Sequence, residues 1–462
     1  MNETTRRNVL KASGAGAGAT LFGVGSVQGG GSEGEGDGQS GSEGESDPLT
    51  DTSPGLVGTW TASPVPPVPS PEDGRSARGF DDETIRMIVR TSVGGSGLRV
   101  RLANTFGEDV LRVGHVEIGL QDDGAAVVPG SNRRVTFGDL DSVFVPPGAK
   151  VYSDPVDLDV EAETHLAVSV YLPGPTGPAT HHPLGLTTSY IADNDNAAVS
   201  SDEEFETETT QWFYLEGIDV ISPETNGAVV TLGNSITDGF GSTVDANTTY
   251  PSFLAERINE SDAIQKSVLD AGISGNRVVS DPPLENAFGP NALARLDRDV
   301  IAQTGVTDVI LLEGINDIGN AENVESIGER VIWGMKQIVA RVHARGLRIF
   351  GATLTPFERA EYPGYYSEEK EAERQAVNDW IRTSGAFDGV FDFDRALRDP
   401  EEPDRLLPKY DVGDALHPSD AGYRAMAEAV DLSALASESE GNEQSGEGED
   451  STGGLLRSPL AT

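Results

Sequence analysis

Residues 228–239 read AVVTLGNSITDG, an apolar run that ends at Gly233 and is followed, one residue later, by Ser235. A short run of apolar residues bounded by turn residues is typical of a buried strand. Small residues between such a strand and a helix leave a serine hydroxyl exposed, with its N–H near the helix N-terminus. Ser235 is therefore a candidate nucleophile, with simple helix capping as the alternative.

Downstream of this strand, apolar runs alternate with amphipathic stretches. The apolar runs are Ser267–Leu269, Val306–Leu312, Leu347–Leu354 and Gly389–Phe393, and the amphipathic stretches include Val324–Arg345 and Ser367–Ser384. This alternation predicts a parallel sheet covered by helices on both faces, with functional residues at the carboxyl ends of its strands. We predict an α/β domain over residues 223–436.

Upstream of it, residues 55–222 show a period of two. The apolar residues Ile85, Met87 and Val89 occupy every second position, and similar runs recur between Gly and Pro turns. This pattern is typical of antiparallel strands with one face in solvent. It predicts an antiparallel β-sandwich, jelly-roll-like, ahead of the α/β domain.

Both ends of the chain have the composition of segments outside a fold. Arg6 and Arg7 precede a short Gly/Ala-rich stretch, so residues 1–27 resemble a twin-arginine signal peptide, and a buried helix is the alternative. The stretch is too short and Gly-rich to span a membrane, which predicts no stable membrane insertion once it is removed. Residues 28–54 and 437–462 are acidic and poor in apolar residues, and we expect disorder there. The predicted location is extracellular or at the cell surface.

The charge balance excludes one class of partner. The chain has 76 acidic and 33 Lys or Arg residues, a net charge of −43, and residues 55–436 account for 62 of those acids and 29 of those bases. Such a surface repels nucleic acid and anionic membranes. The composition resembles that of proteins from salt-loving archaea, and an ordinary acidic secreted protein is the alternative.

The composition also limits the chemistry. Because the chain has no Cys, it forms no disulfide and has no thiolate nucleophile or thiolate zinc site. His181 and His182 are the only close pair among six histidines, so a His-rich metal site is not expected.

Polar residues follow two further elements of the predicted α/β domain. Asn316 comes after the run that ends in Glu313, where an uncharged amide can point at a developing oxyanion; a turn asparagine is the alternative. Asp414 stands three residues before His417, close enough to fix the tautomer of the imidazole. His343, at the end of an amphipathic stretch, is more simply a solvated residue at a helix C-terminus.

Four short motifs in this order resemble the SGNH/GDSL hydrolase superfamily of serine esterases, in a two-domain branch with an N-terminal β domain. The motifs are Gly233-Asn234-Ser235, Gly272-Ile273-Ser274-Gly275-Asn276, Gly314-Ile315-Asn316-Asp317 and Asp414-Ala415-Leu416-His417. The resemblance implies a three-layer α/β fold for residues 223–436. This chain departs from the family pattern at Asn234, where the family usually has Asp.

The resemblance also implies a mechanism without metal or cofactor. Ser235 attacks an ester carbonyl, His417 accepts its proton and Asp414 orients His417. The N–H groups of Ser235 and Gly275 and the side-chain amide of Asn316 form the oxyanion hole.

The expected reaction is removal of a short acyl group, most simply acetyl, from carbohydrate or a related polar alcohol. No long apolar stretch in residues 223–436 is left to serve as a lipid-binding lid, and a polar loop is expected to border the cleft. The residues of that loop are His181, His182, Thr187, Thr188 and Tyr190. A lipase or lysophospholipase of the same superfamily is the first alternative. A carbohydrate-binding surface protein is the second, with Trp60, Trp212, Phe213 and Tyr214 as stacking residues instead of core. The sequence does not fix the oligomeric state.

Overall fold

The computed structural model describes residues 55–68, 74–282 and 288–436. The predicted signal peptide (1–27), acidic linker (28–54) and acidic tail (437–462) lie outside the described residues. We call residues 55–222 the β region and residues 223–436 the α/β region. None of the helices in the described ranges is both long and apolar enough to cross a bilayer.

The described part of the β region is built from short antiparallel strands and one helical turn, α1 (Arg75–Arg78). The strands are β1 (Leu56–Thr61), β2 (Glu83–Arg90), β3 (Ser96–Ala103), β4 (Leu111–Val113), β5 (His115–Leu120), β6 (Arg133–Arg134), β7 (Val143–Val145), β8 (Lys150–Tyr152), β9 (His165–Leu172), β10 (His181–His182), β11 (Ser189–Asp193), β12 (Thr207–Thr209), β13 (Trp212–Phe213) and β14 (Leu215–Ile221). Among the described residues they form sheets of order β1-β14-β3-β8 and β12-β11-β2-β9-β5-β6, with the pairs β10-β13 and β4-β7 beside them. The predicted antiparallel fold is confirmed.

The prediction of one solvent face is wrong for β2. The predicted core residues of this strand are buried, but Arg86 and Ile88 between them are fully buried too. The Arg86 guanidinium donates to the carbonyl oxygens of Ala125 (2.6 Å) and Val199 (2.5 Å), both in loops folded over the outer face of the sheet. Burial lowers the pKa of Arg86 to about 10. The alternating pattern of a strand does not show that distant loops will cover its outer face, so the burial of Arg86 could not be predicted from it.

The α/β region contains a parallel sheet, as predicted. Its strands are β15 (Ala228–Gly233), β16 (Ser267–Gly272), β17 (Val306–Leu312), β18 (Arg348–Ala352) and β19 (Gly389–Phe391). The described helices of this region are α2 (Ser235–Asp238), α3 (Tyr250–Asn259), α4 (Ala292–Leu296) with a following π turn (Asp297–Ile301), α5 (Ile315–Gly319), α6 (Ile327–His343), α7 (Glu368–Thr383), α8 (Phe393–Leu397), a 3₁₀ turn (Pro408–Tyr410), α9 (Asp420–Glu428) and α10 (Leu432–Ala436). They pack in two groups, α3 with α8 and α9, and α4 with α5, α6 and α7.

The order of the parallel strands, β16-β15-β17-β18-β19, places the first strand inside the sheet. The chain moves from β15 to β16 on one side and then crosses to β17 on the other side. In open α/β sheets, ligands bind in the crevice beyond the carboxyl ends of strands where the strand order reverses in this way. Ser235 lies at that point, because it follows β15 by two residues.

The two regions share one continuous hydrophobic core. Strand β1 lies against β16, and the Gly58 N–H donates to the Thr304 carbonyl oxygen at 2.9 Å. A Cβ atom at Gly58 would lie 2.9 Å from a methyl group of Leu269, so the two regions are in close contact at this point. The predicted boundary between 222 and 223 thus separates two kinds of sheet that are packed together.

Candidate active site

The nucleophile candidate lies on a tight turn between β15 and α2. The side-chain oxygen of Asn234 accepts a hydrogen bond from the Ile236 N–H at 3.0 Å and so caps the helix. Ser235 is the first residue of α2, where a backbone N–H has no acceptor within the helix. Gly233 is required for this turn, since a Cβ atom there would collide with the Thr237 hydroxyl.

Three predicted residues form a chain of hydrogen bonds. The Ser235 hydroxyl lies 2.8 Å from Nε2 of His417, and Nδ1 of His417 lies 2.6 Å from Oδ2 of Asp414. The other oxygen of Asp414 accepts from the N–H groups of Leu416 and His417 at 3.0 and 2.8 Å. An ionised carboxylate only accepts, so we assign the proton to Nδ1, which leaves Nε2 free to take the proton of Ser235.

The electrostatics of Asp414 suit this assignment. Burial opposes ionisation of the carboxyl, but hydrogen bonding to His417 and its charge outweigh burial and lower the pKa of Asp414 to about 2. The carboxylate therefore stays ionised at neutral pH. A fixed negative charge beside Nδ1 stabilises the imidazolium that forms when His417 accepts a proton.

The predicted oxyanion donors are linked through the loop between β16 and α4. The Asn316 side-chain nitrogen donates to the Asn276 carbonyl oxygen at 3.0 Å, which leaves its second N–H for a ligand. The Tyr365 hydroxyl donates to the Asn316 side-chain oxygen at 2.8 Å and so fixes which way the amide faces. Gly275 adopts a left-handed backbone (φ 75°), and its N–H has no partner among the described residues.

The structure accounts for Asn234, the departure from the family pattern. The Asn234 amide nitrogen donates to Oε1 of Glu313 at 3.2 Å, and the same oxygen accepts from the Gly314 N–H. Glu313 is fully buried, and burial raises its pKa to about 8, so the carboxyl is neutral at pH 7. An aspartate at position 234 would face this carboxyl, whereas the asparagine amide donates to it. Glu313 was not predicted as a site residue, because nothing in its local pattern distinguishes it from other residues at a strand end.

Two exposed aromatic residues border His417. The ring of Phe240 lies 4.4 Å from the imidazole, centroid to centroid, and the ring of Tyr362 lies 6.2 Å from it. The Tyr362 hydroxyl also contacts Oδ2 of Asp414 at 3.3 Å. Their exposed fractions are 39% and 41%, so part of each ring is open to a ligand. Neither residue was predicted, since single aromatics carry no motif.

Of the five residues predicted to form a polar loop at the cleft, only Thr187 and Thr188 lie in a loop. His181 and His182 form strand β10, pair with β13 and are buried, so they do not line a surface loop. Thr188 donates to the Asp245 carboxylate and Tyr190 belongs to β11. The aromatic residues of the binding-module alternative are core or packed on it: Trp60, Phe213 and Tyr214 are buried, and Trp212 is partly buried.

Comparison with known proteins gives independent information on the α/β region. Residues 231–425 match the model of the GDSL-like Lipase/Acylhydrolase family. The chain carries a GDSL-like acylhydrolase domain. The matched part runs from β15 into α9 and includes Ser235, Asn316, Asp414 and His417. A comparison with curated protein sequences found no match.

Several solved structures resemble this acylhydrolase domain. A lipolytic protein of the G-D-S-L family from Desulfitobacterium hafniense is 20% identical, with 46% of this chain and 99% of that chain covered and a TM-score of 0.34. The carbohydrate acetylesterase Est24 from Sinorhizobium meliloti is 17% identical, with 45% and 99% covered and a TM-score of 0.36. An aryl esterase from M. smegmatis is 15% identical, with 46% and 96% covered and a TM-score of 0.35.

The family match and the site agree on the class of reaction. The acylhydrolase domain brings a serine hydroxyl, an imidazole and a carboxylate into one hydrogen-bonded chain at the carboxyl edge of its sheet. The protein is a carboxylic ester hydrolase.

Proposed function

We propose that the protein is a secreted serine esterase that removes short acyl groups, chiefly acetyl, from carbohydrate. The observation that carries the proposal is the hydrogen-bonded chain of Ser235, His417 and Asp414. Because a serine hydroxyl is a weak nucleophile at its ordinary pKa, an adjacent base is what makes it reactive.

In the proposed mechanism, Ser235 Oγ attacks the ester carbonyl carbon while its proton passes to Nε2 of His417. The carbonyl oxygen becomes an oxyanion held by the N–H groups of Ser235 and Gly275 and the Asn316 amide. The proton on Nε2 then passes to the departing alcohol, and an acyl-enzyme remains. Water, deprotonated by His417, releases the acid and restores Ser235.

The aromatic pair beside His417 supports a carbohydrate alcohol. The exposed rings of Phe240 and Tyr362 present apolar faces at the edge of the site, while the Tyr362 hydroxyl and the nearby carboxylate are polar. A sugar ring has both an apolar C–H face and hydroxyl groups, so it matches this mixture. The net charge of −43 disfavours approach to an anionic lipid surface.

A chain-length series separates this proposal from its alternative, a lipase or lysophospholipase. Each additional CH₂ buried in a pocket contributes about 0.8 kcal/mol, so the kcat/KM of a lipase increases with acyl chain length. The kcat/KM of an enzyme with a small acyl pocket decreases once the acyl chain is too long for the pocket. We expect kcat/KM for p-nitrophenyl esters of two to sixteen carbons, measured in high salt, to be largest for the shortest acyl groups. A maximum at ten carbons or longer would support the lipase.

The natural substrate is tested by acetate release from acetylated xylan and pectin, with chemically deacetylated polymer as the blank. Ser235→Ala is the matched enzyme control, because it removes only the hydroxyl. An organophosphonate should add its mass to the peptide that contains Ser235 in the wild type and not in the variant. Labelling at another residue would contradict the assignment of the nucleophile.

Export is the second part of the proposal, and the Arg6-Arg7 pair supports it. A guanidinium pair that is read by a receptor is not replaced by lysine, since the two cations differ in shape and hydrogen bonding. We expect the double variant Arg6→Lys, Arg7→Lys to lose secretion from a salt-loving host while the active protein accumulates inside the cells. Unchanged secretion would contradict the twin-arginine route and leave the esterase proposal intact.

A further inference from the structure

One buried histidine of the β region reaches under the active site. Nε2 of His182 lies 2.9 Å from Oδ1 of Asp238, the last residue of the helix that begins at Ser235. Nδ1 of the same imidazole lies 2.9 Å from the Ser63 carbonyl oxygen. Both side chains are more than nine-tenths buried. A cross-region contact of this kind has no part in the mechanism described above.

The second oxygen of Asp238 holds the loop of the oxyanion hole. Oδ2 accepts from both the N–H and the hydroxyl of Ser274, each at 2.7 Å. Ser274 immediately precedes Gly275, whose N–H is the proposed oxyanion donor. The Asp238 carboxylate therefore joins the nucleophile helix to the peptide that presents this N–H.

The hydrogen bonds and the electrostatics of His182 together indicate the charges of the pair. Oδ2 of Asp238 accepts from two donors and Oδ1 faces Nε2 of His182, so a carboxylate at this position has a hydrogen-bond partner on both oxygens. The Ser63 carbonyl can only accept, so Nδ1 of His182 carries a proton, and Nε2 must also carry one to donate to the ionised Oδ1. We therefore assign His182 as an imidazolium paired with the Asp238 carboxylate. Although burial opposes this charge, the charge and hydrogen bond of Asp238 raise the pKa of His182.

We propose that His182 is a positioning residue of the esterase, supplied by the β region, which holds the Ser274–Gly275 peptide in place through Asp238. An oxyanion donor works only when its N–H points at the position where negative charge develops. With His182 paired to one carboxylate oxygen, the other oxygen stays aimed at Ser274. The β region is then part of the catalytic apparatus, because its His182 acts on the oxyanion hole through Asp238.

Two conservative variants separate this role from ordinary packing. The terminal amide of Gln reaches the place of Nε2, so His182→Gln keeps a donor to Asp238 and loses the bond to Ser63. The shorter amide of Asn reaches the place of Nδ1, so His182→Asn keeps the Ser63 bond and loses the contact with Asp238. We expect kcat on p-nitrophenyl acetate to fall about tenfold to a hundredfold in His182→Asn, with KM nearly unchanged and most of the rate kept in His182→Gln.

The neighbouring His181 provides the matched control. It is equally buried in β10, but its ring nitrogens contact Gln211 and the Pro66 carbonyl, both within the β region. His181→Asn and His181→Gln should therefore have the same kcat as each other. Melting temperatures of all four variants show whether a loss of rate follows a loss of stability.

A transition-state analogue gives a second readout that does not depend on turnover. A short-chain trifluoromethyl ketone forms a hemiketal with Ser235, in which the ketone oxygen becomes the oxyanion and the serine proton moves to His417. Its inhibition constant should increase in His182→Asn by the same factor by which kcat/KM falls, and should stay close to the wild-type value in His182→Gln.

Equal losses in the Asn and Gln variants, or a change confined to KM, would contradict the positioning role and indicate packing alone. The inference rests on ester hydrolysis at Ser235 but is independent of the natural acyl group, because every variant is compared on the same acetyl ester. A wild-type preference for long acyl chains would contradict the proposed substrate and leave the ratio between the variants unchanged.

Discussion

At the scale of single residues, the Asn316 amide depends on Tyr365. The Tyr365 hydroxyl donates to the side-chain oxygen of Asn316, which turns the amide nitrogen toward the site. We predict that Tyr365→Phe lowers kcat about tenfold with little change in KM, because an amide free to rotate presents its donor only part of the time. Steady-state kinetics on p-nitrophenyl acetate measures both constants.

Tyr366→Phe is the matched control for this variant. Tyr366 packs its ring edge-on against Phe357, as Tyr365 does, but has no contact with Asn316. The control should keep wild-type kcat. If both variants lose rate equally, the loss comes from ring packing and the orienting role of the Tyr365 hydroxyl is wrong.

Glu313 predicts a dependence of stability on pH. Burial raises its pKa to about 8, against an ordinary value near 4.5, so the folded protein holds this proton more tightly than the unfolded chain. The raised pKa of Glu313 therefore stabilises the folded protein fully at pH values below the pKa of the unfolded chain, and this stabilisation is lost as pH rises toward 8. Glu313→Gln cannot ionise, so we expect its free energy of unfolding, relative to wild type, to increase from pH 5 to pH 8 by a few kcal/mol, to order of magnitude.

Urea unfolding at several pH values measures this difference. The control is Glu329→Gln at an exposed position of α6, which removes the same charge from the surface. Its difference from wild type should stay nearly constant over the same range. A Glu313→Gln difference that is also constant would mean that the buried carboxyl is ionised in the folded protein.

The sequence was informative about residues that belong to motifs. It predicted Ser235, Asp414 and His417, and the structure joins these three by hydrogen bonds. It did not point to Tyr365 or Asp238, because each acts through a partner that lies 36 to 56 residues away along the chain. Such pairings exist only after folding, and a single residue carries no sign of them.

At the scale of elements, Arg295 of α4 ties together the ends of two strands. Its guanidinium donates to the carbonyl oxygens of Gly233 (2.9 Å) and Ala271 (2.7 Å) and to the Asn276 side chain. We predict that Arg295→Lys lowers the free energy of unfolding by about 2–3 kcal/mol, since one ammonium cannot replace a planar fork and leaves buried acceptors unpaired.

Denaturant unfolding tests this prediction, with Arg345→Lys just beyond α6 as the control because Arg345 is exposed. The control should change stability by less than about 0.5 kcal/mol. If Arg295→Lys is equally mild, the strand ends do not depend on the guanidinium.

Strands and long helices of the α/β region were predictable to within a few residues, because buried parallel strands and amphipathic helices have distinct periods. The predicted helix Val324–Arg345, for example, is observed as Ile327–His343. Strand β10 was not predicted. Two histidines in a polar stretch become a buried strand only because β13 pairs with them and Trp212 and Phe213 stack on their rings.

At the scale of the whole molecule, the acidic balance of residues 55–436 predicts a need for salt. These residues include 62 acidic and 29 basic side chains, and the excess of negative charge produces net repulsion in the compact state. The Debye length falls from about 10 Å at 0.1 M to about 3 Å at 1 M salt, so added salt screens this repulsion. We predict that the melting temperature rises steeply between 0.1 and 3 M KCl.

Sucrose at matched osmolality is the control, since it favours compact states by exclusion but screens no charge. The rise in KCl should clearly exceed the rise in sucrose. Equal rises would mean that charge repulsion does not limit stability and that the acidic surface serves another purpose.

The sequence indicated the two kinds of sheet but not how closely they are joined. Composition and period act over a few residues, whereas the contact between Gly58 and Thr304 or between Ser63 and His182 spans more than a hundred. The role of the β region could therefore be argued only from the folded structure.

The distance along the chain between the reacting groups has a consequence for synthesis. Ser235 and His417 are 182 residues apart, and Asp414 and His417 come near the end of the α/β region. A ribosome that adds about 5–20 residues per second needs roughly 10–40 s to extend the chain from the nucleophile to its base. Throughout that interval the nascent protein carries a serine without a proton acceptor. The nascent chain therefore does not hydrolyse esters in the producing cell. A truncated product that ends before residue 414 lacks both Asp414 and His417 and is inactive.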